Sequence, residues 1–282
     1  MIHSFLMLGQ SNMAGRGFIK EVQPIYNERI QMLRNGRWQM MTEPINYDRP
    51  VAGVGLAASF AEAWCEKNKE DQIGLIPCAE GGSIIDEWHP DGILFRHAIS
   101  QAKFAMENSQ LTGILWHQGE SDSTPERFLD YYEKLLHVIK AFRTELNAAN
   151  LPLMIGGMPD FLGKSGFGIS CTKHHDVDQA LQKVAFEQEY CYFVTAAELT
   201  ANPDGIHINA LSQRRFGLRY FEAFDNSRHV MEPLEGEEKR LGNLSKRVYT
   251  QGEKIYLASM EMALGTISYP EFEAKLGNLF RK

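Results

Sequence analysis

LGQSNMAGRG, residues 8–17, follows the apolar run 2–7 almost at the start of the chain. A buried strand that runs out at a glycine-flanked serine puts a hydroxyl where the strand turns into a loop or helix. Glycine permits the tight path, and the amides after such a turn point outward and can receive an anion. Ser11 therefore reads either as a nucleophile or, with Asn12, as an ordinary N-cap. The segment alone does not separate the two. Both readings make residues 2–7 the first core strand, and the rest of the chain is judged against it.

Outward from that strand, short apolar runs alternate with helical spacing. Residues 72–79, 112–116, 153–158 and 192–195 read as buried strands. Residues 56–67, 93–108, 125–146 (opened by Thr124 ahead of Pro125), 177–190 and 210–224 read as helices. The alternation predicts an α/β domain with a five-stranded parallel sheet, helices on both faces and ligands beyond the carboxyl ends of the strands. Residues 29–43 read as a β-hairpin turning at Asn35-Gly36, expected as an insertion near the site and not as part of the sheet. The charged stretch 225–247 reads as a boundary or solvated linker. Beyond it, residues 253–264 and a capping box Ser268-x-x-Glu271 predict a helical hairpin. The expected division is a catalytic domain over 1–226 and, over 227–282, the charged linker and C-terminal helical hairpin.

Composition bounds the function. The chain has 282 residues, 44% hydrophobic, and a net charge of −7. With a pI near 5.8, nothing favours nucleic acid, whose phosphates draw binding mainly from Lys and Arg. No run approaches the roughly 18 apolar residues of a membrane span, so no membrane partner is expected. The first core strand begins where a signal peptide would lie, which predicts a cytoplasmic protein; a secreted chain trimmed of its leader would read the same. Cys65, Cys78, Cys171 and Cys191 lack C-x-x-C spacing and read as buried free thiols.

Three strand ends and one late loop carry the chemistry: Ser11, the pair Gly81-Gly82, Gln118, and Asp204-x-x-His207. An activated serine needs a base, an acid that orients the base, and donors for the oxyanion formed at an attacked ester carbonyl. Those parts are all present. Four blocks, GQSNM (9–13), AEGGSIIDEW (79–88), WHQGESD (116–122) and DGIHIN (204–209), stand in the order found in the SGNH hydrolases. Over residues 2–224 the chain most resembles the branch containing sialate O-acetylesterases and family six acetylxylan esterases. Asn12 and Met13 after Ser11 depart from the G-x-S-x-G elbow of the α/β-hydrolases. The resemblance therefore implies the flatter three-layer α/β/α sandwich.

The same resemblance implies Ser11 as nucleophile, His207 as general base and then acid, and Asp204 as its orienting partner. It implies an oxyanion hole from the Ser11 amide, the Gly81 amide and the Gln118 side chain, with Gly82 next should the loop shift by one. Gln10, Asn12, Arg16, Trp88 and Glu120 are candidates for substrate or supporting contacts. For Arg16 and Trp88, sugar contact and framework packing are equal readings; for Glu120 a structural bond to the serine loop is preferred to a direct catalytic role. His174, His175, Asp176 and Asp178 suit a metal by composition, but the expected chemistry needs neither metal nor cofactor, and they read as a solvated helix start.

The expected activity is removal of O-acetyl groups from a carbohydrate, acetylated sialic acid or xylo-oligosaccharide, through an acetyl-enzyme on Ser11. The alternatives are an esterase or thioesterase for non-carbohydrate acyl esters, or a catalytically inactive carbohydrate-binding protein. Ile255, Leu257, Met260, Leu264, Phe272 and Leu276 of the C-terminal helices need cover, which makes a homo-oligomer through them an expectation.

Overall fold

In a computed structural model that describes residues 1–244 and 246–280, the chain forms a twisted sheet between two helical layers. The strands are β1 (Ile2–Gly9), β2 (Ile30–Arg34), β3 (Arg37–Met40), β4 (Gln72–Pro77), β5 (Gln110–His117), β6 (Leu153–Gly156) and β7 (Cys191–Val194). The helices are α1 (Ser11–Ala14), α2 (Ala57–Lys67), α3 (Ile93–Met106), α4 (Tyr131–Glu145), α5 (His174–Glu187), α6 (Ala210–Asn226), α7 (Glu237–Leu244), α8 (Gln251–Ala263) and α9 (Tyr269–Phe280). None of the described helices is long and apolar enough to cross a membrane.

β1 shows how the layers arise. Side chains alternate across a strand, so Phe5 and Met7 enter the core shared with α2 and α6. Leu6 and Leu8 enter the core under α3, α4 and α5. A strand apolar on both faces must be covered on both faces. β1 is also the centre of the sheet, between β4 and β5. The chain builds outward from it in both directions, which places its carboxyl end at a topological switch point, where such sheets bind ligands.

The sheet has seven strands in the order β3-β2-β4-β1-β5-β6-β7, not five. The two additional strands are the hairpin expected to lie apart from the sheet. β2 pairs parallel with β4, Ile30 beside Ile73 and Met32 beside Leu75, because Ile30 and Met32 bury their side chains in the main core. Only β3 runs antiparallel, at the edge.

Element bounds shift where local bonds compete. The Thr124 carbonyl accepts from the Arg127 and Phe128 amides, and a 3₁₀ turn follows, so the helix expected from residue 125 begins at Tyr131. α5 starts at His174 and stops before Tyr190, whose φ of 58° leaves the helical region.

Residues 225–247 are not a solvated linker throughout. α7 lies within them, Leu244 joins the main core, and Glu237 is bonded to the fully buried Arg219 of α6. The cysteines are free and buried; burial pushes the Cys65 thiol up to about 12 and those of Cys171 and Cys191 to about 11.

Candidate active site

Ser11 is the first residue of α1, immediately past β1, and not its cap; Gln10 holds the cap position without a side-chain bond. Gly9 lets the strand end pass β5 closely: at its φ of 134° a Cβ would lie 1.9 Å from the His117 carbonyl oxygen. Met13 and Ala14 donate their amides to the Gln10 carbonyl, while the Ser11 amide has no partner among the described residues. The hydroxyl is 3.1 Å from His207 Nε2, and His207 Nδ1 is 2.7 Å from Asp204 Oδ2. Asp204 Oδ1 accepts from the Ile206 and His207 amides at 3.1 and 3.0 Å. Partial burial alone would raise the Asp204 pKa. The bonds from the His207 amide and ring and from the Ile206 amide outweigh it and hold the carboxyl below its usual value.

A loop 196 residues away reaches the serine through Asn12. Its Nδ2 donates to Glu120 Oε1 at 2.5 Å and to the Ile206 carbonyl at 3.2 Å, and its Oδ1 accepts from the Ile208 amide at 2.8 Å. The residue after Ser11 therefore grips the chain on both sides of His207. Glu120 is buried and also lies 3.1 Å from His117 Nε2. Burial pushes its carboxyl up, but attraction to His117 and the bonds from His117 and Asn12 lower it on balance. Glu120 thus makes a structural bond to the serine loop. Gln10 works on the same loop, its Oε1 accepting from the Gly119 and Ser121 amides and from Gln118 Nε2.

The expected oxyanion donors fare unequally. The Gly81 amide already donates to Asp48 Oδ2 at 2.8 Å. Gln118 is fully buried, and its Nε2 sits 2.5 Å from Asp122 Oδ2, 3.1 Å from the Ser83 carbonyl and 3.2 Å from Gln10 Oε1. Two hydrogens facing three acceptors leave none for a substrate oxygen. Tyr131 Oη sits at the other end of the same amide, 2.9 Å from Gln118 Oε1 and 2.6 Å from the Gln118 carbonyl. Gly82, one residue on, is exposed and its amide is unbonded among the described residues.

Arg16 and Trp88 belong to the framework. Arg16 makes a buried two-pronged pair with Asp48, at 2.5 and 3.1 Å. Trp88 is fully buried, donates to Ser83 Oγ at 3.1 Å and packs edge-on against Trp116. Nor is the start of α5 fully solvated. His174 is buried with Nδ1 2.8 Å from the Cys171 carbonyl, and Asp178 accepts from the Met158 amide at 2.8 Å; Asp176 pairs with Lys173.

Sequence reasoning does not reach Asp48, Asp122 or Tyr131 as site residues. Asp122 lies inside the third block, a signal that could have marked it; Asp48 and Tyr131 stand in unremarkable stretches. Burial raises the Asp122 carboxyl from 3.8 to about 6, against the bonds from Gln118 and the Ile85 amide. A separate cavity of about 430 Å³ lies between residues 21–26, α6 and α7, lined by Ile25, Tyr26, Arg214 and Leu241 among others, and contains no member of the triad.

A seven-stranded α/β sandwich with serine, histidine and aspartate joined at the carboxyl end of its central strand defines an SGNH-type hydrolase. The family described as carbohydrate esterase, sialic acid-specific acetylesterase, matches residues 1–226, and the chain belongs to it. It is a carboxylic ester hydrolase acting on carbohydrate. A probable carbohydrate esterase of Arabidopsis thaliana is 27% identical over 248 residues, covering 78% of this chain and 89% of that protein. The solved Arabidopsis structure superposes with a TM-score of 0.71 at 26% identity, covering 79% of this chain and 98% of that one. NanS superposes at 0.66 with 16% identity over 80% of this chain and 97% of its own. A carbohydrate acetylesterase of Xanthomonas citri does so at 0.59 with 19% identity, over 78% and 55%; these two likenesses are of fold.

Proposed function

We propose that the protein removes O-acetyl groups from a pyranose sugar through an acetyl-enzyme on Ser11, with acetylated sialic acid the preferred substrate class. The observation that carries this reading is the unbroken relay from Ser11 Oγ through His207 to Asp204, at 3.1 and 2.7 Å. His207 Nε2 takes the serine proton as Oγ bonds to the acetyl carbon. The negative oxygen that forms is met by the Ser11 and Gly82 amides, whose lack of other partners among the described residues supports the assignment. Collapse breaks the bond to the sugar oxygen, and that oxygen leaves with the proton from His207. Water, deprotonated by the same nitrogen, then attacks the acetyl carbon and releases acetate and free Ser11. The ionised Asp204 stabilises the imidazolium in both halves. The family's description supports the sialate end of the substrate range.

Acetate release from O-acetylated sialic acid and from acetylated xylo-oligosaccharides, measured for the wild type and for Ser11→Ala, tests this. The wild type should cleave the sialate ester faster and the variant neither. Equal turnover by a folded Ser11→Ala protein removes the acetyl-enzyme; a preference for the xylan fragment moves the substrate.

A further inference from the structure

Two strongly apolar side chains stand in solvent on a loop pressed against the triad. The 3₁₀ segment Gly166–Ser170 exposes Phe167 by 77% and Ile169 by 62%. Its backbone lies directly on the loop that holds the catalytic acid. The Phe167 amide donates to the Asp204 carbonyl at 2.8 Å. A Cβ on Gly166 would stand 2.0 Å from that same oxygen, and one on Gly168 would stand 2.1 Å from the Gly205 oxygen. Only glycines allow this approach, and Gly166 also needs its φ of 54°.

The segment is pinned from the other side as well. The Gly168 carbonyl accepts from the Gly163 and Cys171 amides at 2.9 and 3.0 Å, and Cys171 Sγ donates to the Glu120 carbonyl at 3.3 Å. With its backbone so held, the loop presents Phe167 and Ile169 to solvent. Water-exposed apolar groups on a fixed support beside a catalytic centre mark a contact surface.

We propose that Phe167 and Ile169 form a platform for the sugar ring of the substrate, engaging the alcohol side of the ester and not its acyl side. This rests on the acetylesterase reading above. An acetyl group is two carbons long and needs no such surface, whereas a pyranose presents a face of C–H bonds that packs on an aromatic ring. Continuity with the triad loop ties the platform to the ester's own sugar: the loop that carries it is bonded to Asp204, whose carboxylate orients the histidine facing Ser11.

The test measures acetate release from two substrates, ethyl acetate and whichever sugar ester the wild type cleaves faster. Phe167→Ala should raise KM for the sugar ester about tenfold, with kcat and the rate on ethyl acetate unchanged. Phe167→Tyr should restore KM to within about twofold of the wild type, because it restores the ring, and Ile169→Ala should give a smaller rise. An equal loss on both substrates overturns the proposal, since the loop would then merely support Asp204. So does no change on either, or a loss seen with p-nitrophenyl octanoate and not with the sugar ester. A wild type that cleaves ethyl acetate but neither sugar ester removes the substrate reading itself, a separate result from failure of the Phe167 variants.

Discussion

Two regions of the molecule are held together in different ways. At the carboxyl edge of the sheet, Gln10, Asn12, Gln118 and Glu120 are at most 1% exposed, and each joins two or more segments distant in sequence. In the C-terminal stretch, α8 and α9 are half-buried or exposed at most positions. Their attachment to the rest runs largely through charged groups: Arg247 with Glu62 and Glu253, and Glu253 with the Glu28 amide. Where one side chain bridges several segments it fixes a geometry. In the C-terminal stretch such bridging is concentrated in the cluster around the buried Glu253.

That contrast can be broken in graded steps. Loss of the base should weigh most: His207→Ala is expected to lower kcat by about 10⁴ or more with the fold intact, read from acetate release and circular dichroism. Next comes the clamp. Asn12→Ala removes the bridge between the serine loop and both flanks of His207, so kcat should fall about a hundredfold with KM little changed. Glu120→Gln, which keeps the shape but takes away the charge facing Asn12 and His117, should fall less. A clamp variant with normal kcat would show that β1 and α6 alone set the serine-to-histidine distance.

At the junction of the two regions, Glu237→Ala leaves the guanidinium of Arg219 buried without its carboxylate. The cost should be about 3–5 kcal/mol in urea unfolding, with activity per folded molecule unchanged. An unaltered midpoint would make the extension an independent appendage.

A smaller effect is expected at Asp122, and it depends on pH. Its folded value of about 6 lies above the ordinary 3.8, so the fold favours the protonated form. That contribution is complete below pH 3.8 and is lost as pH rises through 6. Asp122→Asn, with its oxygen facing Gln118 and the Ile85 amide, keeps both bonds without the charge. Its melting temperature should match the wild type near pH 4 and exceed it near pH 8; a lower value at pH 8 would contradict the sign. Least of all should follow from ending the chain before α9, where the melting temperature is expected to move by only about 1–2 °C.

Much of the site is legible because its parts are local. Asp204 and His207 are three residues apart in a glycine-containing loop, and Ser11 directly follows a strand, so short stretches carry their roles. The register of the oxyanion loop is not local: Asp48, 33 residues earlier, occupies the Gly81 amide and leaves Gly82 open. Arg16 reads equally as a sugar contact or as framework until Asp48 is seen beside it, and Gln118 looks like a donor until its three acceptors are placed. The hairpin's place in the sheet is not local either. A short apolar strand reads the same whether it joins a sheet or stands apart, and only the neighbouring β4 decides.

The amino-acid sequence by itself determined the alternation of strands and helices, the first core strand and the candidacy of Ser11, Asp204 and His207. Those depend on hydrophobic period and on chemistry within a few residues of chain. The tertiary structure alone decided which amides remain unbonded among the described residues, that Asn12 spans from the Ser11 loop to both flanks of His207, and that α7 covers Arg219 with Glu237. Each of these is a hydrogen bond or ion pair between segments far apart in the chain, and a partner at such a distance leaves no trace in local spacing.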